Sequence, residues 1–314
     1  RHKQLRDLVN KGFTPRAIKE LAPRIQEITE QLISNVLDQG EMKMIDDMAM
    51  PLPVIVIADL LGVPAEDREK FKVWSDILVK GVEDPQPEVY EAVKREQEDV
   101  HQQLKEYLSY ILERRRFHPQ DDIISSLLSA EIDGNKLTET EILDFSILLL
   151  AAGNETTTNL ITNGVRLMTE IPDIQRQAKS DLSLIPSMVE EVLRYYSPVQ
   201  APSRIAKQDI ELQGESIKKG DIVVAWVGSA NRDEAKFPAA NTFQIDRKPN
   251  QHLSFGKGIH FCLGAPLARL EAQIAFEKMF THFTNIRLKE AAQIKRTPAP
   301  QMFGVVEFPI TFSL

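Results

Sequence analysis

Residues 138–170 constrain this sequence more than any other stretch. Thr138-Glu139-Thr140-Glu141 is a capping-box pattern, in which the Thr138 hydroxyl takes a free N–H of a first helical turn and Glu141 reaches back. No proline follows until Pro172. The pattern predicts a helix of roughly 30 residues, about 45 Å long, ending near Glu170. Its middle, Phe145-Ser146-Ile147-Leu148-Leu149-Leu150-Ala151-Ala152, is apolar on every side, so the helix should be buried through the middle of a large protein. The composition agrees: 314 residues, 42% hydrophobic and 27% charged, suffice for two ordinary domains or one large one and are unlike a disordered or collagen-like chain.

The same helix carries an anomaly. Ala152-Gly153-Asn154-Glu155-Thr156-Thr157 places glycine and β-branched residues where both weaken a helix. Threonine hydroxyls can bond to carbonyls four residues back and open the turn. A carboxylate at such depth is costly unless paired or hydrated. This combination points to function.

Helices dominate the first two thirds. Apolar periodicity predicts them over 3–11 (stopped near Gly12 and Thr14-Pro15), 16–37 (closed by Gly40), 46–61 (ending at Gly62) and 67–79. After a break at 84–87, residues 88–116 read as a long, charged, solvated helix, and 186–196 as a shorter one. Short strands with turns follow at 210–212 and 222–227, then a structured loop over 238–251. A final helix spans 263–283, and the tail reads as loop plus a strand or hairpin over 305–312. Trp74 and Trp226 read as core. Net charge −8 argues against a nucleic-acid partner. The longest apolar run, 147–152, falls far short of the ~18 residues that span a bilayer. A single cysteine excludes an internal disulfide and a multi-cysteine zinc site and suits a reducing compartment, which we take to be the cytoplasm.

That cysteine lies in Phe255-Gly256-Lys257-Gly258-Ile259-His260-Phe261-Cys262-Leu263-Gly264. Two glycines permit a tight backbone. A sulfur just before a helix faces N–H groups and the positive end of the dipole, which favours the thiolate. A buried structural cysteine and a nucleophilic Cys–His pair are the alternatives for such a residue standing alone. A second short motif, Glu191-Val192-Leu193-Arg194, sets an acid and a base at i, i+3; alone it is an ordinary surface pair.

Phe255, Gly258, Cys262 and Gly264 match the F-x-x-G-x-x-x-C-x-G signature, and the chain is thereby similar to the cytochrome P-450 family of soluble, bacterial type, whose haem iron is held by a Cys thiolate. The 152–157 cluster and the E-x-x-R pair stand in that family's order. The resemblance implies a mainly α fold with a small β region and a long central helix over haem. It implies one domain over 1–314, mostly helical over 1–196 and mixed over 197–314 with the haem-ligand loop, lacking the family's N-terminal segment. It implies heme b (iron protoporphyrin IX) held by Cys262, with Ala152, Gly153, Phe255, Gly256 and Gly264 against the cofactor and His2, Arg6, Arg204 and His260 on its propionates. Glu155 and Thr156 would relay protons. Glu191 and Arg194 would form a structural ion pair; many members complete it with an arginine where Thr242 stands here, which leaves the third partner open, with Arg247 the nearest substitute. The substrate pocket would draw on Leu148, Ala151, Ala152, Val199, Gln200, Ala201, Met302 and Phe303, apolar enough for a fatty acid, steroid or terpenoid.

The implied activity is a monooxygenase that hydroxylates or epoxidises an apolar small molecule with O2. Its two electrons would come from a separate ferredoxin or flavodoxin and its reductase, and ultimately from NAD(P)H. Lys257, Arg269, Lys3 and Lys11 are candidate docking cations. The alternatives are a peroxide-driven peroxygenase, a non-catalytic haem-binding or sensing protein, and a helical scaffold with Cys262 in its core.

Overall fold

The computed structural model describes residues 1–10, 13–79, 86–132, 134–299 and 301–314. Lys11, Gly12 and residues 84–85, where a docking cation and two helix breaks were expected, lie outside them. The helices are α1 His2–Asn10, α2 Pro15–Glu20, α3 Ala22–Ser34, α4 Pro51–Leu60, α5 Arg68–Val79, α6 Pro87–Phe117, α7 Ile123–Ser129, α8 Glu139–Glu170, α9 Pro172–Ser180, α10 Ile185–Tyr195, α11 Val227–Ala230 and α12 Ala265–His282. The strands are β1 Glu41–Lys43, β2 Glu131–Ile132, β3 Asn135–Lys136, β4 Ser203–Ile205, β5 Ile210–Leu212, β6 Glu215–Ile217, β7 Ile222–Val224, β8 Thr284–Leu288 and β9 Pro309–Ser313. One antiparallel sheet has the order β1-β9-β8, and β2-β3, β4-β7 and β5-β6 form two-stranded ladders.

The capping box opens α8: the Glu141 amide donates to the Thr138 hydroxyl and the Thr138 amide to the Glu141 carboxylate. The helix crosses the molecule, packed by α4, α5, α6, α10 and α12. Gly164 permits a close approach of α12, because any Cβ there would overlap the Phe276 ring. The apolar face of α6 is buried along Val100, Leu104, Leu108 and Leu112, and the remainder is solvated as its charge predicts.

Several expected elements are divided or displaced. The helix predicted over 16–37 breaks at Leu21, which ends α2 and starts α3, because Pro23 has no N–H to continue the ladder. The helix over 46–61 begins as a wide turn, Ile45–Ala49, and becomes α-helical only at Pro51, for the same reason. Trp226 is 58% exposed rather than core, beside the exposed Ile205, Ile222 and Val224 of the β4-β7 ladder, whereas Trp74 is buried. Val227 starts a helical turn and not the end of a strand. The last long helix begins two residues later than expected, at Ala265. α8 is not enclosed all round: Leu148 is 60% exposed and Ala152 is exposed one turn on.

The 231–254 region has almost no regular structure, and a buried charge cluster organises it. Glu191 and Arg194 on α10 have side-chain exposures of 0%, with Arg194 Nη2 2.7 Å from Oε1 and Nε 2.8 Å from Oε2. Arg247 completes the cluster, its Nε 3.0 Å from Glu191 Oε1. The two guanidiniums also donate to the carbonyls of Asn231, Pro238, Ala239, Ala240 and Thr242. Thr242 therefore takes part through its backbone, while Arg247 supplies the second cation. Glu191→Ala would strand two buried guanidiniums; we expect a loss of about 3–5 kcal/mol, read as a lowered denaturation midpoint or as insoluble protein.

A second buried acid has no such partners. Glu271 on α12 is 1% exposed, its Oε2 has no hydrogen-bond partner, and burial pushes its pKa up to about 8 from an ordinary 4.5. Between these values the folded chain holds a proton that the unfolded chain has released, so stability falls as pH rises. Glu271→Gln removes that term. The stability gap between the two proteins should widen by about 1.4 kcal/mol per pH unit across this window, measured by urea denaturation.

Candidate functional site

Two elements supply the site: the middle of α8 and the loop that ends at Cys262. On α8, Leu148, Ala152 and Thr156 follow at i, i+4 and i+8 and form an exposed or half-buried stripe, flanked by Ala151 and Glu155. The Thr156 hydroxyl donates to the Ala152 carbonyl at 2.9 Å, the expected back-bond, yet the helix stays continuous instead of opening. Glu155 is half-buried, and burial raises its carboxyl above the ordinary range. Asn154, fully buried, donates to the Ser75 hydroxyl of α5 at 2.6 Å and pins this turn. Gly153 has a packing role: a Cβ there would meet Ile57 of α4 at 3.3 Å, so its bare side faces the neighbouring helix.

The loop is shaped by glycines. Gly256 and Gly258 hold φ of +69° and +70°, conformations that side chains disfavour. The Gly256 amide donates to Leu253 O at 2.8 Å, Phe261 to Gly258 O at 3.0 Å, and Cys262 to Phe255 O at 2.8 Å. Cys262 is half-buried at the mouth of α12, where its sulfur accepts the Gly264 and Ala265 N–H groups. The expected preference for thiolate is reversed in the protein alone. Burial raises the thiol pKa, and the two N–H groups with the charges of Arg6 and Arg269 lower it, but burial prevails. A positive centre bonded to the sulfur would remove that penalty.

Helix α1 lies against this loop. Arg6 Nη2 donates to Phe261 O at 2.6 Å, and the His2 and His260 rings are 4.7 Å apart. A cleft of about 250 Å³ between them is lined by His2, Lys3, Arg6, Asp7, Gly258 and Ile259. The structure thus brings His2, Arg6, His260 and Cys262 together. Arg204 lies on exposed β4, opposite Val223, with Nη1 donating to the Ser203 carbonyl at 2.7 Å. The expected pocket residues meet across the chain: Val199 pairs with Met302, the Gln200 amide donates to Gln301 O at 2.8 Å, and the Phe303 amide to Pro198 O at 2.8 Å. Asn163 of α8 donates to Phe303 O at 2.9 Å and joins this lobe to the long helix. Ala201 is half-buried beside them. Lys3 and Lys257 are exposed, but Arg269 is no free docking cation, because both its Nε and Nη2 are bonded to Glu190. That pairing escaped the sequence reading, although the Glu190-Glu191 doublet on α10 was a signal for it.

A single soft sulfur with two amide donors, an apolar exposed stripe on the long core helix and a cationic rim fit a flat apolar macrocycle with a soft metal and anionic edges. The comparisons agree. The chain belongs to the cytochrome P450 family, whose model matches residues 1–313, and is therefore a haem-thiolate monooxygenase. Cytochrome P450 109 of Bacillus spizizenii is 46% identical over 311 residues, which span 99% of this chain and 77% of that protein. Cyclomarin C epoxidase CymV of Salinispora arenicola is 43% identical over 288 residues, 92% of this chain and 72% of the relative. CYP109E1 of Bacillus megaterium, solved with testosterone and with corticosterone, superimposes with TM-scores of 0.94 and 0.95 at 44% identity, covering 100% of this chain and 84% of that one. Among the described residues, no helix is long and apolar enough to cross a membrane.

Proposed function

We propose that the Cys262 sulfur would hold the iron of heme b in this chain and that the enzyme inserts oxygen into an apolar molecule of steroid, fatty-acid or terpenoid size. The observation that carries the assignment is the Cys262 sulfur itself. It is the sole thiol, it is half-buried, and it accepts the Gly264 and Ala265 N–H groups where α12 begins. When bound, haem supplies the redox and dioxygen-activating chemistry. The protein supplies the ligand, the protons and a dry, shaped cavity. The two amide donors stabilise negative charge on sulfur and aim it. His2, Arg6, His260 and Arg204 provide hydrogen-bond donors for two propionates, the first three from one corner of the molecule.

Protons are the task of Glu155 and Thr156. Burial keeps the Glu155 carboxyl protonated to higher pH than a free one, so it can hold a proton beside an apolar stripe. Thr156 Oγ1, anchored on the Ala152 carbonyl, keeps its lone pairs free to accept from one donor and can turn to give to another. Leu148, Ala151 and Ala152 face the substrate from α8, with Val199, Gln200, Ala201, Met302 and Phe303 opposite. The steroid class is supported by the testosterone and corticosterone complexes of CYP109E1, and epoxidation by the name of CymV. Electrons are drawn from NAD(P)H through a reductase and a ferredoxin or flavodoxin, whose acidic surface suits the exposed Lys3 and Lys257. The protein works in the cytoplasm.

Cys262→Ala is expected to abolish the reduced-CO band of thiolate-ligated haem; retention of that band would refute the ligand assignment. Thr156→Ala should divert reducing equivalents to hydrogen peroxide, and Glu155→Gln should slow product formation by on the order of 10²-fold. NAD(P)H consumption measured against product and peroxide reads both, and unchanged coupling in Thr156→Ala would remove it from the relay. Turnover sustained by hydrogen peroxide alone, with no donor, would indicate a peroxygenase instead.

A further inference from the structure

Arg6 holds the Cys262 loop from one side. A group with no part in the chemistry above holds it from the other. Arg269 stands on α12, seven residues beyond Cys262. Its guanidinium grips Glu190 of α10 with two hydrogen bonds, Nε to Oε1 at 2.6 Å and Nη2 to Oε2 at 2.9 Å. His252 adds a third: its Nδ1 accepts the Ser254 amide at 3.3 Å, which leaves Nε2 to donate to Glu190 Oε2 at 3.1 Å. Burial raises the Glu190 carboxyl, but these hydrogen bonds and charges outweigh it and bring its pKa down to about 2, so the anion is permanent. The His252 side chain is buried.

The flat face of Arg269 does separate work. Its Cζ lies 4.5 Å from the centroid of the Phe255 ring. Phe255 opens the loop, its ring is edge-on to Phe261 at 6.4 Å, and its carbonyl accepts the Cys262 amide at 2.8 Å. An unbroken line of contacts therefore runs from α10 to the cysteine backbone: Glu190 and His252 fix Arg269, Arg269 fixes Phe255, and Phe255 fixes Cys262.

We infer that Arg269 is a positioning residue for the Cys262 sulfur, braced by Glu190 and His252, which holds the ligand loop through Phe255 and keeps one positive charge beside the metal–sulfur bond. This rests on the assignment of Cys262 as the haem ligand. It also accounts for the choice of arginine. Lysine carries the charge but has neither the planar face that covers a ring nor the fork that takes both oxygens of one carboxylate.

The experiment uses the haem-loaded full chain and three variants, Arg269→Lys, Arg269→Gln and Glu190→Gln. Arg232→Lys serves as control: Arg232 also stacks on a ring, with Cζ 3.6 Å from the Tyr195 centroid, but bonds to Tyr195 and Asn241 instead of the loop. The reduced-CO complex of all three variants should lose its thiolate band several-fold faster than wild type, while the control should not. The midpoint potential should fall in Arg269→Gln, which removes a cation from beside the sulfur, and stay near wild type in Arg269→Lys. Band lifetimes that are unchanged, or that track thermal stability equally in the control, would overturn the brace; so would a potential that does not move in Arg269→Gln. A wild-type protein that never shows the band would instead overturn the ligand assignment, and the brace with it.

Discussion

The buried carboxylate of Glu191 is the interaction on which the rest depends. Desolvating it is expensive, and it is tolerable only because two guanidiniums, the Gln244 amide and the Asn250 side chain meet it on every open side. The two cations then use their remaining N–H groups as scaffolding for a segment with almost no backbone ladder of its own. Arg194 reaches Asn231, whose side chain accepts the Leu253 amide at 2.8 Å and donates to the hydroxyls of Ser197 and Ser254. One residue further lies Phe255. A charge cluster on α10 thus dictates where the cysteine loop begins, and removing Glu191 leaves two buried guanidiniums without their counter-charge. Such a network is valuable for the uniqueness of its arrangement more than for its net energy.

The long helix shows a second balance. Its flanks must pack, and Gly153 and Gly164 let Ile57 and Phe276 approach closely. One stripe must stay clear, and it does: Leu148, Ala152 and Thr156 keep exposure that an ordinary core helix would bury. Of the polar residues between these faces, Asn154 donates to Ser75 and Asn163 to Phe303 O, while Asn159 Nδ2 and Thr162 Oγ1 are buried without a hydrogen-bond partner among the described residues. Glu155 is half-buried with no neighbouring charge among the described residues to offset that burial, the condition under which a carboxyl retains its proton.

Much of this was legible in the residues. The capping box and the absence of proline fixed both ends of α8, and the motif around Cys262 indicated the tight loop because positive φ needs glycine. Arg247 is the nearest substitute for the arginine absent at Thr242, but sequence spacing leaves the third member of the Glu191 cluster open, and the packing of the 231–254 segment supplies it. What escaped was of two kinds. Prolines inside apolar runs, Pro23 and Pro51, divided helices whose periodicity continued across them, so the pattern alone could not show the break. The pairs made over long sequence distances, Glu190 with Arg269 and Ser75 with Asn154, depend on how helices pack, which no local spacing encodes. The antiparallel pair β2–β3 does have a local sequence signal, Asp133-Gly134 between short extended runs.

The sheet order β1-β9-β8 has a consequence for biosynthesis. Its central strand is residues 309–313, while the outer two belong to segments that leave the ribosome earlier. Neither outer strand finds its partner until residues 309–313 have left the ribosome. The β1–β9 pairing joins residues 41–43 to 309–311 and so closes a long loop, which slows folding, whereas β8 and β9 are near neighbours in sequence. Until then Met42 and Ile286, buried in the finished protein, have no strand to cover them, and the nascent chain needs protection from its neighbours at that stage.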